Sequence, residues 1–131
     1  MTALIVALSA SALVFAGSAP AQPDAARKVA PEELKQMIEK KEKFFFLDVR
    51  EPDEIEKLGT LPGYVNIPLS QLERRLPEVP RNRLIVSACN RARRAATAAE
   101  ILSKHGYEHI LLCAMNDWKD KGYEVIYPKK E

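Results

Sequence analysis

Three stretches of the sequence are apolar almost throughout and have the length of a β-strand: FFFLDV (44–49), LIVSA (84–88) and ILLC (110–113). A strand with one face in water alternates polar and apolar residues, whereas a strand that is covered on both faces does not. The three runs therefore predict buried strands of a parallel sheet. YVNI (64–67) is a weaker candidate strand, and KVA (28–30) is a short first one.

Three segments between or beside these runs have the period of an amphipathic helix: 31–41, 70–76 and 93–106. Pro31 suits the first helical position of the first segment, and Gly106 is a natural residue to follow the end of the last one. Ser70 and Glu73 have the spacing of a capping box in the middle segment. Strands and helices that alternate in this way predict an α/β domain with a mostly parallel sheet.

The N-terminal segment differs in composition from the rest of the chain. The first 21 residues carry no charged side chain, and an apolar run from Ala3 to Ala16 precedes Ala19-Pro20-Ala21, a small-residue cleavage pattern. The run is shorter than the roughly 20 residues that a membrane-spanning helix needs. We therefore expect residues 1–21 to be the cleaved signal peptide of a periplasmic or secreted protein, followed by a linker (22–27) and one domain (28–131). The alternative is an uncleaved anchor that holds the domain on the periplasmic face of a membrane.

Charge and cysteine content limit the classes of function. The 131 residues have a formal net charge of +2 and are 47% hydrophobic and 29% charged, which suits one compact globular domain. A chain so close to neutral makes no electrostatic case for binding nucleic acid. The two cysteines, Cys89 and Cys113, could form one disulfide in an exported protein or remain two thiols in a reducing compartment. The sequence leaves both states open.

Cys89 directly follows the second apolar run, and Arg91, Arg93 and Arg94 come within the next five residues. In an open α/β sheet, ligands bind beyond the carboxyl ends of the strands, so this turn is the first place to look for a site. Unsatisfied backbone amides and the dipole of a helix that starts near Arg94 would favour a thiolate at Cys89. Because the same field makes arginines unfavourable unless an anion binds there, we predict a nucleophilic thiol in an anion-binding loop. The alternative is an inert buried thiol beside a solvated arginine face.

Several motifs of the sequence resemble those of single-domain rhodaneses. Asp48-Val49-Arg50-Glu51-Pro52 matches the family's D-V-R-E-P, and Pro62-Gly63 followed by Asn66-Ile67-Pro68 matches its P-G-A-x-N-I-P. Cys89 falls at the position of the family's persulfide cysteine, and CNRAR is similar to the Cys-Asn-x-Gly-Arg loop of small periplasmic rhodaneses. The resemblance covers about residues 28–125. It implies a rhodanese-like three-layer α/β/α domain with a central, mostly parallel sheet of about five strands.

The resemblance also implies sulfurtransferase activity. Cys89 would take sulfane sulfur from an anionic donor such as thiosulfate, hold it as a persulfide, and pass it to cyanide or to a small or protein thiol. Backbone amides of the loop would stabilise the sulfur while an arginine binds the sulfonate. Asp48 and Arg50 would support the loop from the neighbouring strand, or form only a capping salt bridge. No cofactor, metal ion or nucleic acid is implied, and we expect a monomer. The substrate-binding residues would be Asn90, Arg91, Ala92, Arg93 and Arg94.

Three departures from the family pattern affect the site. Ala92 stands where the loop usually has glycine, and alanine is strained if the backbone there needs a positive φ. The Gly-Gly pair expected before the last helix is missing, and Thr60 replaces the usual histidine of G-H-I-P-G. These changes leave a second function open, that of a catalytically impaired rhodanese-like domain acting as a binding or thiol redox module. A phosphatase is disfavoured because its Cys-x5-Arg motif would need arginine where Ala95 stands.

Cys113 ends its apolar run as Cys89 ends another, and in the rhodanese arrangement the two strands are neighbours. Adjacent strands lie about 4.8 Å apart, whereas a disulfide needs Cα atoms within about 7 Å. Cys113 is therefore a candidate resolving thiol, which would attack a Cys89 persulfide, expel sulfide and close a disulfide. The alternative is a small buried apolar residue at a strand end. Trp118 is similar to the tryptophan in the family's last helix, and we assign it to packing.

Overall fold

The computed structural model describes residues 26–128. Within them, five strands form one sheet in the order β1-β5-β4-β2-β3, and all neighbouring strands are parallel. The predicted α/β fold with about five mostly parallel strands is therefore confirmed. The predicted signal peptide, residues 1–21, lies outside the described residues and stays a prediction. The strands are β1 (Arg27–Lys28), β2 (Phe44–Asp48), β3 (Val65–Asn66), β4 (Leu84–Cys89) and β5 (Ile110–Ala114).

In the described part of the chain, four α-helices flank this sheet, and two of them follow directly from the sequence pattern. The first begins at Pro31, as predicted, and the longest is followed by Gly106 at a φ of 90°, a backbone angle that favours glycine. None of these helices within residues 26–128 is long and apolar enough to cross a bilayer. The helices are α1 (Pro31–Glu39), α2 (Pro52–Leu58), α3 (Arg93–Lys104) and α4 (Met115–Asp120).

The helix predicted for residues 70–76 is wrong in type. This part of the chain forms two 3₁₀ helices, Leu69–Gln71 and Glu73–Glu78, and no side chain caps the N-terminus of either one. Pro77 lies within the second, and its missing amide rules out an α-helical hydrogen bond at that position. The predicted capping box is therefore not formed at Ser70; one is present instead between Glu51 and Glu54 at the start of α2.

Side chains of the central strand, β4, alternate between two hydrophobic cores. Ile85 and Cys89 belong to the core beneath α3 and the 3₁₀ helices, whereas Val86 and Ala88 belong to the core beneath α1 and α4. This alternation is the two-residue period of a strand, which sends successive side chains to opposite faces of the sheet. The fold thus has three layers, and the carboxyl ends of β2, β4 and β5 meet at one edge, where Ala88 pairs with Asp48 and with Cys113.

Candidate functional site

Cys89 is the last residue of the central strand, at the carboxyl edge of the sheet, where the sequence places it. Its side chain is buried, with 1% of the residue exposed, and its Sγ accepts a hydrogen bond from the backbone amide of Ala95 at 3.3 Å. Ala95 is the third residue of α3, so this amide is one of the four that a helix leaves without a partner. The donor to the sulfur thus lies just past the residues 90–94 that the sequence suggested.

The loop after Cys89 alternates between anchored and exposed residues. Asn90, Ala92 and Arg94 are half-buried, whereas Arg91 and Arg93 are exposed. The backbone carbonyl of Asn90 also accepts a hydrogen bond from the amide of Asn116 at 3.0 Å, near the start of α4. The chain therefore holds the loop at every second residue and presents the two intervening arginines to solvent.

Ala92 has a left-handed backbone, with φ 68° and ψ −3°. The loop thus adopts the conformation for which glycine is suited, although alanine occupies the position. An L-residue in this conformation costs about 1–2 kcal/mol. The geometry is nevertheless well supported, because the carbonyl of Ala92 accepts the first helical hydrogen bond of α3, from the amide of Ala96 at 2.9 Å.

Arg94 is paired within the protein by Glu54 of α2. Its two terminal nitrogens donate to Glu54 Oε2 and Oε1 at 2.6 and 2.8 Å. The hydrogen bonds from Arg94 lower the pKa of Glu54 to about 2, outweighing burial, which acts in the opposite direction. Of the three arginines that the sequence offered for the sulfonate, Arg94 therefore already has a carboxylate partner.

Asp48 and Arg50 form an ion pair that is 0% exposed at both residues. Arg50 donates to Asp48 Oδ1 from Nε at 2.9 Å and to Asp48 Oδ2 from a terminal nitrogen at 2.6 Å. It also donates to the carbonyl of Gly59 at 2.8 Å and to the side-chain oxygen of Asn90 at 3.0 Å. The pair is thus a salt bridge that also contacts the loop through Asn90, as expected of residues that support the loop rather than of a capping pair alone.

Two further side chains hold this ion pair in place. Thr60, which replaces the family's histidine, donates its hydroxyl to Asp48 Oδ2 at 2.9 Å. Asn66 donates to the backbone carbonyls of Asp48 and Arg50 at 2.9 and 2.8 Å, which fixes the turn that follows β2. Sequence reasoning assigned no role to Asn66 or Glu54, although Asn66 lies within the N-I-P motif.

The structure does not bring Cys113 to the sulfur of Cys89. Cys113 pairs in register with Ala88 rather than with Cys89, and the two thiols lie in the cores on opposite faces of the sheet. Burial raises the pKa of Cys113 to about 12, which leaves it a poor nucleophile. This geometry favours the alternative, a small buried residue, over a resolving thiol.

Trp118 has the packing role assigned to it from the sequence. It is 5% exposed, belongs to the core beneath α1 and α4, and donates its indole N–H to the carbonyl of Glu124 at 2.9 Å. Met115 begins α4 directly after β5, so the segment that would carry the Gly-Gly pair is absent from this connection. The amide of Asn116 in that helix instead contacts the loop through Asn90.

Comparison with known proteins agrees with this geometry. The model of the rhodanese-like domain matches residues 30–121. The chain is 35% identical over 96 residues to the putative sulfur carrier protein YrkF of Bacillus subtilis, covering 72% of this chain and 51% of YrkF, so it spans about half of that protein. It is 36% identical over 67 residues to the thiosulfate sulfurtransferase PspE of Escherichia coli, covering 50% of this chain and 64% of PspE.

Solved structures show the same fold. A rhodanese-related protein from Thermoplasma volcanium superimposes with a TM-score of 0.70 at 29% identity, over 78% of this chain and 99% of that one. The family match, these relatives and the position of Cys89 at the end of the central strand agree with one another. The chain therefore belongs to the rhodanese-like domain family.

Proposed function

We propose that this protein is a sulfurtransferase that carries sulfane sulfur on Cys89, taking it from thiosulfate or a similar anionic donor. The observation that carries the proposal is the hydrogen bond from the amide of Ala95 to Cys89 Sγ at the start of α3. A helix N-terminus favours negative charge, so the amide would face the charge that a persulfide anion brings to this position. The names of relatives such as PspE supply the donor class.

The proposed reaction has two steps, transfer of sulfur to Cys89 and transfer from Cys89 to the acceptor. In the first, the Cys89 thiolate attacks the outer sulfur of thiosulfate; the sulfur–sulfur bond of the donor breaks, and sulfite leaves with the electron pair. In the second, cyanide or a thiolate attacks the outer sulfur of the Cys89 persulfide, and Cys89 leaves as a thiolate. Since both steps bring anions together, the exposed cations Arg91 and Arg93 at the loop reduce the electrostatic repulsion.

The buried network beside the loop has a positioning role in this proposal. Arg50 holds Asn90 from the strand side, and Glu54 contacts both Arg94 and, at 3.3 Å, the side-chain nitrogen of Asn90. These contacts keep the loop backbone in place before the donor arrives. Preorganised amides need no reorientation as charge develops on the sulfur, and this is the principle of electrostatic stabilisation in an oxyanion hole.

Mass spectrometry of the intact protein tests the proposal. After incubation with thiosulfate and desalting, we expect a gain of about 32 Da, one sulfur atom, that is reversed by cyanide with formation of thiocyanate. Cys89→Ser should abolish the gain, whereas the matched Cys113→Ser variant should retain it. A protein that gains no sulfur at Cys89 and forms no thiocyanate would instead support a binding or thiol redox module.

A further inference from the structure

The loop carries two cations, Arg91 and Arg93, that no acidic side chain within the described part of the chain pairs with. Within residues 26–128, the side chains of Arg91 and Arg93 form no salt bridge and no hydrogen bond, whereas the guanidinium of the neighbouring Arg94 is held by Glu54. Arg93 is the first residue of α3, where the helix dipole already places partial positive charge. The two exposed arginines therefore destabilise the loop whenever no anion is near them.

Halfway through the proposed reaction, the departure of sulfite again leaves Arg91 and Arg93 without a nearby anion. Once sulfite has left, the sulfur on Cys89 lies at the helix N-terminus, in a site where Cys89 itself is 1% exposed. Arg91 and Arg93 are exposed and so remain in contact with solvent above the loop. A second substrate with anionic groups away from its reacting sulfur would again compensate the positive charge of these two arginines.

We propose that Arg91 and Arg93 form a cationic rim that selects small acceptor thiols carrying carboxylate groups over neutral or cationic thiols. This inference rests on the proposed function, because it concerns the second substrate of the same persulfide. The acceptor thiolate attacks the outer sulfur of Cys89, the bond to Cys89 Sγ breaks, and the product is a persulfide of the acceptor. The sulfane sulfur keeps its oxidation state, so no oxidant or reductant is needed.

The test measures discharge of a persulfide that has been formed beforehand. The protein is loaded with thiosulfate and desalted, and the loaded fraction is taken from the gain of about 32 Da. It is then mixed with mercaptosuccinate, which has two carboxylates, with neutral 2-mercaptoethanol, or with cationic 2-aminoethanethiol. The rate constant for loss of the added sulfur is measured for each thiol. Comparing one thiol between two protein variants cancels that thiol's intrinsic reactivity.

The decisive variant is the double substitution Arg91→Gln/Arg93→Gln, and its matched control is Arg83→Gln. Arg83 is exposed and immediately precedes β4, so it lies at the opposite end of that strand, roughly 20 Å from Cys89. In the double variant, we expect the rate constant with mercaptosuccinate to fall about threefold to tenfold. The rate constant with 2-mercaptoethanol, which is anionic only at its reacting thiolate, should fall by a smaller factor, and that with 2-aminoethanethiol, whose ammonium group offsets that charge, should change least. Arg83→Gln should change none of the three.

Loading and discharge separate the two proposals. If thiosulfate does not load the double variant, inorganic polysulfide supplies the same persulfide and the discharge measurement proceeds. A wild-type protein that gains sulfur from neither donor would overturn the proposed function and this inference with it. A wild-type protein that loads, but whose double variant discharges to all three thiols with unchanged relative rates, would overturn the selective rim alone. Added salt should also reduce the wild-type preference for mercaptosuccinate, since the rim is exposed.

Discussion

Replacement of Asp48 by asparagine should destabilise the protein far more than loss of an exposed ion pair of the same type. Asp48 and Arg50 are both 0% exposed, and the carboxylate accepts two side-chain hydrogen bonds from Arg50 and one from Thr60. Asparagine keeps the size of the side chain but removes the charge, which leaves a buried guanidinium without a counterion. Breaking a buried pair in this way costs about 3–5 kcal/mol, a large part of the roughly 5–15 kcal/mol that stabilises a domain.

The matched control is Glu33→Gln. Glu33 and Arg27 also form a two-bond pair, at 3.0 and 2.7 Å, but their side chains are 42% and 59% exposed. Solvent screens such a surface pair, so its loss should lower the free energy of unfolding far less than loss of the buried pair. The free energy of unfolding of both variants is measured by urea denaturation at neutral pH. Equal losses for Asp48→Asn and Glu33→Gln would refute the argument that burial makes the Asp48 pair costly to break.

A double-mutant cycle sharpens this prediction. Asp48→Leu and Arg50→Met each leave one buried charge without its partner, whereas the double variant removes both charges. The double variant should therefore lose less unfolding free energy than the sum of the two single losses, by about 0.5–3 kcal/mol. Additive losses would mean that the two side chains do not interact as the short distances between them indicate.

Two further predictions concern the loop and its partner. The pKa of Glu54 is lowered from 4.5 to about 2, so its pair with Arg94 should stabilise the protein fully above pH 4.5 and lose that effect as the pH falls towards 2. The side chains of Glu54 and Arg94 are 30% and 36% exposed, so we expect Glu54→Gln to lower the free energy of unfolding by only about 1 kcal/mol at pH 6, and by less in acid. Urea denaturation measures this loss, and a loss that does not vary with pH would contradict the prediction. Ala92→Gly should stabilise the protein by up to about 1 kcal/mol, because relief of about 1–2 kcal/mol of left-handed strain exceeds the added flexibility of the unfolded chain and the loss of a half-buried methyl group. Ala96→Gly, inside α3, should instead destabilise the protein by about 1 kcal/mol. If the midpoint temperature of thermal unfolding shifts in the same direction for both variants, the strain argument is wrong.

The sequence alone determined the layout of the fold and the position of Cys89 at the carboxyl edge of the sheet. Apolar runs without alternation predicted three of the buried strands, and the helix-end signals Pro31 and Gly106 were read correctly, because these patterns reflect backbone preferences and burial over a few neighbouring residues. The resemblance, rather than a local pattern, pointed to strain at Ala92, because the family's loop usually has glycine there and the φ of 68° is one that glycine tolerates. The helix type of the segment after Pro68 was predicted wrongly. The prediction relied on the capping-box spacing at its start, whereas Pro77, near its end, lacks the amide that an α-helical hydrogen bond needs.

Only the tertiary structure decided which charged side chains are paired and whether the two thiols come into contact. Arg94 and Glu54 are separated by 40 residues, as are Arg50 and Asn90, so no periodicity in the sequence could pair them. Cys89 ends β4, whereas Cys113 is the last residue but one of β5, and the register places it opposite Ala88. A shift of one residue sends a side chain to the other face of the sheet. Strand register and long-range side-chain pairing depend on how the helices pack against the sheet, and that packing leaves Arg91 and Arg93 as the exposed cations of the loop.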